Sequence, residues 1–160
     1  LVGSSKNDIG SSEYLHKLNK VEFSSVPAFD LDEEYNLQEV IAGLIKKKLV
    51  TSAHDISEGG LMITLLEKGF NRNLGFDVTN TANIRKDAFW FGEAQSRVVI
   101  SVPAAGAEAL ETALKVASAS YTALGSVTSG DLLIDGNNWG SIQDWKDKYD
   151  TAIEKLIAAN

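Results

Sequence analysis

Three short stretches of this sequence bring carboxylates, glycines and hydrogen-bonding side chains close enough together to do chemistry. The first is His54-Asp55-Ile56-Ser57-Glu58-Gly59-Gly60. Asp55 and Glu58 each offer a hard carboxylate oxygen to a divalent cation such as Mg²⁺. Ser57, Gly59 and Gly60 stand where a helix would begin, and two residues without a Cβ let a phosphate approach the N–H groups of a helix N-terminus. The plainer reading of the same residues is a helix start, with Ser57 as the cap and the glycines making a tight turn. The second stretch is Phe91-Gly92-Glu93-Ala94-Gln95-Ser96-Arg97, a polar turn just ahead of a β-branched run. There Glu93 could hold a metal or a sugar hydroxyl, Gln95 can both donate and accept, and Arg97 could pair with a phosphate. Its plainer reading is an Arg97 salt bridge that is purely structural, with Gln95 solvated. The third stretch, from Ser4 through Lys6 to Tyr14, is rich in small residues that permit close backbone approach, and Lys6 could meet an anion; otherwise it is a connector. No residue is assigned as catalytic, and neither His16 nor His54 is singled out as a base.

The elements that must position these stretches follow from periodicity. Asp30 followed by Glu33 resembles a capping box, and Leu37, Val40, Ile41, Leu44 and Ile45 then recur at helical spacing, which predicts a helix over residues 31–47. Residues 49–53 read as a buried strand and 61–67 as an apolar helix that Gly69 ends, so the first stretch sits in a strand–turn–helix. Residues 75–78 and 96–102 read as strands, 84–90 as a short helix and 107–117 as an amphipathic one. Strands at 122–127 and 132–134 are expected to form a hairpin through Thr128-Ser129-Gly130-Asp131. Ser141 caps a last helix on which Ile142, Trp145, Tyr149, Ile153, Leu156 and Ile157 form one apolar stripe. Trp90, Trp139 and Trp145 are packing residues. Helices and strands interleave irregularly, which predicts an α/β (α+β) class with a mixed β-sheet packed with helices.

Composition narrows the function. A chain of 160 residues, 44% of them apolar, suits a single domain over 1–160 with a real core. The apolar Leu1-Val2 opening reads as the tail of a strand and suggests a piece of a longer chain. Cysteine is absent, which removes disulfides, thiolate nucleophiles and Cys-ligated zinc and favours a cytoplasmic location. No apolar run approaches the roughly 18 residues that a membrane-spanning helix needs. A net charge of −7 disfavours nucleic acid, whose backbone demands a basic face. Neither a P-loop nor a dinucleotide-binding glycine fingerprint is present.

Taken in order, the three stretches resemble the C-terminal domain of phosphoribosylformylglycinamidine synthase, in its small-form synthetase subunit. Gly10-Ser11-Ser12-Glu13-Tyr14 is similar to the family's Gly-Gly-Ser-Glu-Tyr, with Ser11 in place of the second glycine. Ser52-Ala53-His54-Asp55-Ile56-Ser57-Glu58-Gly59-Gly60-Leu61 resembles Ser-Ala-His-Asp-(Val/Ile)-Ser-Asp-Gly-Gly-Leu, with Glu58 for an aspartate. Phe91-Gly92-Glu93-Ala94-Gln95-Ser96-Arg97 resembles Phe-Gly-Glu-Ser-Gln-Ser-Arg. The resemblance implies the fold of the C-terminal domain of aminoimidazole ribonucleotide synthetase. It implies part of an ATP-dependent ligase of purine biosynthesis, which converts formylglycinamide ribonucleotide to its amidine with ammonia from glutamine. It also implies ATP or ADP with Mg²⁺, N-terminal domains of the same enzyme, a glutaminase subunit and a small carrier subunit as partners, and a domain that is catalytically incomplete alone. On that footing Ser57, Gly59, Gly60, Gln95 and Arg97 are expected at nucleotide or phosphate, and Asp55, Glu58 and Glu93 at metal. The competing expectation is a non-catalytic scaffold for subunit assembly, or one that holds a structural nucleotide. A stand-alone relative of thiamine-monophosphate kinase is disfavoured by the missing ATP-binding barrel.

Overall fold

The computed structural model describes residues 1–159, which form two compact units, the first made of Leu1–Thr64 with Thr81–Ala123 and the second of Leu65–Asn80 with residues 124–159. Helices and two sheets alternate along the chain, and one sheet is mixed, in keeping with the expected class.

In the first unit, helix α1 (Leu31–Lys46) begins at Asp30, whose Oδ1 accepts the Glu33 N–H at 2.9 Å. The return arm of the expected capping box is replaced by an ion pair, because the Glu33 carboxylate lies 2.7 Å from Lys6 Nζ. Lys48 closes the helix in the left-handed region at φ +56°, and the Leu49 N–H returns to the Leu44 carbonyl. That return explains why the expected strand over 49–53 is displaced. Leu49 and Val50 pack against the core as the helix turns back, and strand β1 (Ser52–Asp55) begins after them with most of its residues exposed. Antiparallel to β1 runs β3 (Val98–Ser101), paired from Ser52 with Ser101 to Asp55 with Val98. Val2 extends the same sheet through bridges to Val98 and Tyr121. Val2, Leu44, Leu110 and Leu114 form the buried cluster beneath α1 and α4 (Ala107–Val116). Helix α3 (Lys86–Phe91) buries Ala88, Phe89 and Trp90, the two rings meeting edge to face at 4.8 Å. Each fully buried side chain of this size stabilises the fold by about 2 kcal/mol.

Helix α2 (Gly60–Phe70) includes Gly69 instead of ending at it. A Cβ on Gly69 would lie 2.2 Å from the Leu74 carbonyl oxygen, so this glycine serves the tight return into β2 (Gly75–Val78).

The sheet of the second unit has the order β4-β2-β5-β6, with β4 at Gly125–Thr128, β5 at Asp131–Ile134 and β6 at Asn137–Ser141. The expected hairpin between β4 and β5 does not form, because β2 lies between them, antiparallel to β4 and parallel to β5. Gly75 makes the crossing possible. A Cβ there would sit 2.1 Å from the Asp131 carbonyl oxygen and 2.5 Å from Thr128 Oγ1, the two groups that clasp each other at 2.5 Å over the start of β2. The real hairpin joins β5 to β6 through Asp135 and Gly136, at φ +50° and +75°, the geometry an Asp-Gly pair favours. β6 had no periodic signal, since Asn137, Asn138 and Gly140 are polar or small. Ser141 caps α5 (Ile142–Asp150) in a full capping box with Asp144, but the helix stops at Thr151 and a separate α6 (Ala152–Ala158) follows. The expected single stripe is therefore broken: Ile142 is buried, whereas Ile153, Leu156 and Ile157 are exposed. Trp139 and Trp145 stack at 6.3 Å. Among the described residues no helix is long and apolar enough to cross a membrane.

Candidate functional site

Within the first unit, the three chemistry-bearing stretches converge on one carboxylate. Oε1 of Glu93 accepts the Gly59 N–H at 2.9 Å and the Glu13 N–H at 2.8 Å, so a single oxygen from the second stretch ties down the first and the third. Stacking reinforces the junction, with the rings of Tyr14 and Phe91 4.9 Å apart and 6° from parallel. The backbones also cross closely. Gly60, at φ +67°, would place a Cβ 2.8 Å from the Phe91 Cα and the Gly92 carbonyl oxygen. Only a residue without a side chain fits a left-handed conformation at that separation.

Beside this junction lies an open cleft of about 430 Å³, lined by Glu34, Leu37, Asp55, Ile56, Ser57, Glu58, Glu93, Gln95, Ser96, Arg97 and Val98. Six of the expected site residues line it. Asp55, Ser57, Glu58 and Gln95 are exposed, with the Asp55 side chain 78% accessible and 3.8 Å from His54 Nδ1. Arg97 belongs to the wall. It is 2% exposed, and its guanidinium donates to the carbonyls of Ala94 at 3.0 Å and Gly92 at 2.7 Å. Burial draws its pKa down to about 10, and the charge of Asp8 works the other way. The expected Arg97 salt bridge to a structural acid is thus replaced by carbonyl partners that fix the turn.

Gly59 and Gly60 have a similar inward role. Their N–H groups go to Glu93 and to the Ser57 carbonyl, and their missing side chains make room for Ile63 and for the Phe91-Gly92 backbone. The expected three-carboxylate metal site of Asp55, Glu58 and Glu93 is not assembled either. Among the described residues no group of three or more His, Cys, Asp or Glu side chains is placed to hold a metal ion, and Glu93 Oε1 is already held by two backbone donors. These residues alone do not fit a resident Mg²⁺.

Residues 1–134 match the family described as AIR synthase related protein, C-terminal domain. The chain belongs to this AIR synthase related family. Among its curated relatives, phosphoribosylformylglycinamidine synthase subunit PurL of Azorhizobium caulinodans is 32% identical over 162 residues, covering 100% of this chain and 22% of that one. PurL of Salinibacter ruber is 43% identical over 123 residues, covering 76% of this chain and 16% of its own. The structure of T. maritima PurL complexed with FGAR shares the fold at a TM-score of 0.65 and 18% identity, over 80% of this chain and 23% of that chain. The chain thus spans about a fifth of the length of the curated relatives it matches. The resemblance read from the three stretches and the fold it implied both stand.

As a member of the AIR synthase related family, the chain places a residue in its cleft that no motif pointed to. Glu34, in the first turn of α1, accepts the Ser96 hydroxyl at 2.7 Å and the Gln38 side-chain N–H at 2.7 Å. Those two hydrogen bonds, Gln38 first, hold its carboxyl below the ordinary glutamate range. In the sequence it is one of three successive acids at a helix start, where a favourable interaction with the helix dipole explains it without a partner.

Proposed function

We propose that this chain acts as the C-terminal AIR-synthase-like domain of a phosphoribosylformylglycinamidine synthase, and that its cleft receives a nucleotide phosphate accompanied by Mg²⁺. The observation that carries the reading is the convergence of three separate stretches on Glu93 beside one cleft. Relatives that match along the chain include PurL subunits, and T. maritima PurL with the same fold has been solved complexed with ATP. The whole enzyme would convert formylglycinamide ribonucleotide to the amidine with ATP and glutamine-derived ammonia. This domain would be catalytically incomplete without the rest of that chain, and would act in the cytoplasm. Its partners would be the N-terminal domains, a glutaminase subunit and a small carrier subunit, a reading supported by a structure of PurLQS from Thermotoga maritima with the same fold.

In this reading Asp55, Ser57, Glu58 and Gln95 face the ligand, while Gly59, Gly60, Glu93 and Arg97 hold the frame. The ligand must bring its own positive charge. The cleft presents the carboxylates of Glu34, Asp55, Glu58 and Glu93, and its one guanidinium is engaged with carbonyls. A bare phosphate would be repelled, whereas a magnesium-bearing one would not. One observation favours a second reading, a scaffold domain without a ligand: the N–H groups of Gly59 and Gly60 are already taken. Calorimetric titration of the chain with ADP and Mg²⁺ separates the two. Binding that Asp55→Asn removes supports the nucleotide site; binding equal in both proteins sinks the assignment of Asp55; no binding in either favours the scaffold.

A further inference from the structure

The Gln95-Ser96-Arg97 turn has an unusual backbone. Ser96 sits in the left-handed region at φ +62°, a conformation that costs a side-chain-bearing residue about 1–2 kcal/mol, and it is only 6% exposed. This single reversal turns Gln95 outward to the cleft while Ser96 and Arg97 stay buried. Something must hold it. Arg97 fixes the turn from inside through Gly92 and Ala94, and from the cleft side Glu34 holds it, its Oε2 accepting the Ser96 hydroxyl at 2.7 Å with the Ser96 backbone N–H also directed at its carboxylate. The neighbouring Glu33 grips Lys6 at 2.7 Å, so one helical turn of α1 restrains both the third stretch and the second.

From this arrangement we infer that Glu34 is a positioning residue of the cleft, which latches Ser96 in its left-handed conformation and so presents Gln95 to the ligand. The inference rests on the proposed nucleotide reading and adds a residue to it. Glu34 acts through Ser96, and the role needs an acceptor at that position more than it needs a charge. A glutamine can still accept the hydroxyl through its carbonyl oxygen. An alanine cannot, and it keeps the helix intact because alanine is the best helix former.

The test is calorimetric titration with ADP and Mg²⁺ of five proteins: the wild-type chain, Glu34→Ala, Glu34→Gln, Ser96→Ala and the Glu34→Ala/Ser96→Ala double variant. Ser96→Ala deletes the hydroxyl but keeps the Cβ that strains the positive φ, so it removes the latch without relieving what the latch holds. We expect Glu34→Ala and Ser96→Ala each to weaken binding by roughly tenfold, the double variant to be no weaker than either, and Glu34→Gln to bind within about threefold of wild type. If Glu34→Ala weakens binding and Ser96→Ala does not, the hydroxyl is not the latch and the inference is wrong. Unchanged binding in both single variants, even with lowered melting temperatures, makes the contact merely structural and overturns the inference alone. Absence of binding in the wild-type chain overturns the nucleotide reading and the inference together.

Discussion

At the turn that ends in Arg97, the guanidinium, the Glu93 carboxylate and the Ser96 hydroxyl all meet protein atoms, whereas in the turn from Asp55 to Glu58 the carboxylates stand exposed in the same cleft. Both turns belong to recognisable motifs, and both are rich in the side chains that chemistry uses. Their partners separate them. One turn is frame and the other is face, and residue type alone assigns neither role. The contrast extends to glycine: Gly60 sits against the Phe91-Gly92 backbone, while Gly136, also left-handed, has nothing within 4 Å of where its Cβ would be.

The strongest way to break this contrast is to substitute the frame. Gly60→Ala combines a strained φ with a backbone collision, so a loss of about 3 kcal/mol or more is expected in denaturant unfolding, against about 1 kcal/mol for Gly136→Ala. Equal losses at the two sites would mean that the crossing relaxes freely. Arg97→Met leaves two buried carbonyls without donors and should cost about 3 kcal/mol. Glu93→Gln keeps an acceptor but loses its charge, for which about 1 kcal/mol is expected, together with faster amide exchange at Gly59 and Glu13. Asp55→Asn belongs to the face, and its stability should change by no more than about 0.5 kcal/mol. A large destabilisation there would move Asp55 into the frame. The smallest effect concerns pH. Because its hydrogen bonds lower the folded-state pKa of Glu34, the stability it contributes is present above the ordinary glutamate value and is lost as pH falls through the folded-state value. The stability gap between wild type and Glu34→Ala should therefore shrink below pH about 4.3, and a gap independent of pH would mean that the hydrogen bonds from Gln38 and Ser96 do not favour the ionised carboxylate.

Much of this architecture was legible in the sequence because it rests on local rules. The cap at Asp30, the strand from Gly75 and the helix from Ala107 follow from side-chain chemistry and periodicity within a few residues. What escaped depends on distant partners. Nothing local shows that Thr128 and Asp131 straddle another strand, nor that Gly75 is a glycine to let them do so. The same holds at the cleft. The motifs marked where the polar groups gather, but whether an N–H of Gly59 meets a phosphate or Glu93 is decided by a residue far along the chain. Glu34 was hidden for the converse reason, since its sequence neighbourhood already gave it an adequate explanation as a helix-start acid.

The interposition of β2 between β4 and β5 also has a consequence for how the molecule is made. β2 is complete at Val78, yet both of its partners lie beyond residue 124. On a ribosome that adds roughly 5–20 residues per second, this central strand waits for seconds with both edges bare before either neighbour has been synthesised. During that interval Phe76 and Val78, destined for burial, are exposed to any other extended segment. Early translation is therefore the window in which this chain is most open to chaperone capture or to pairing with a stranger.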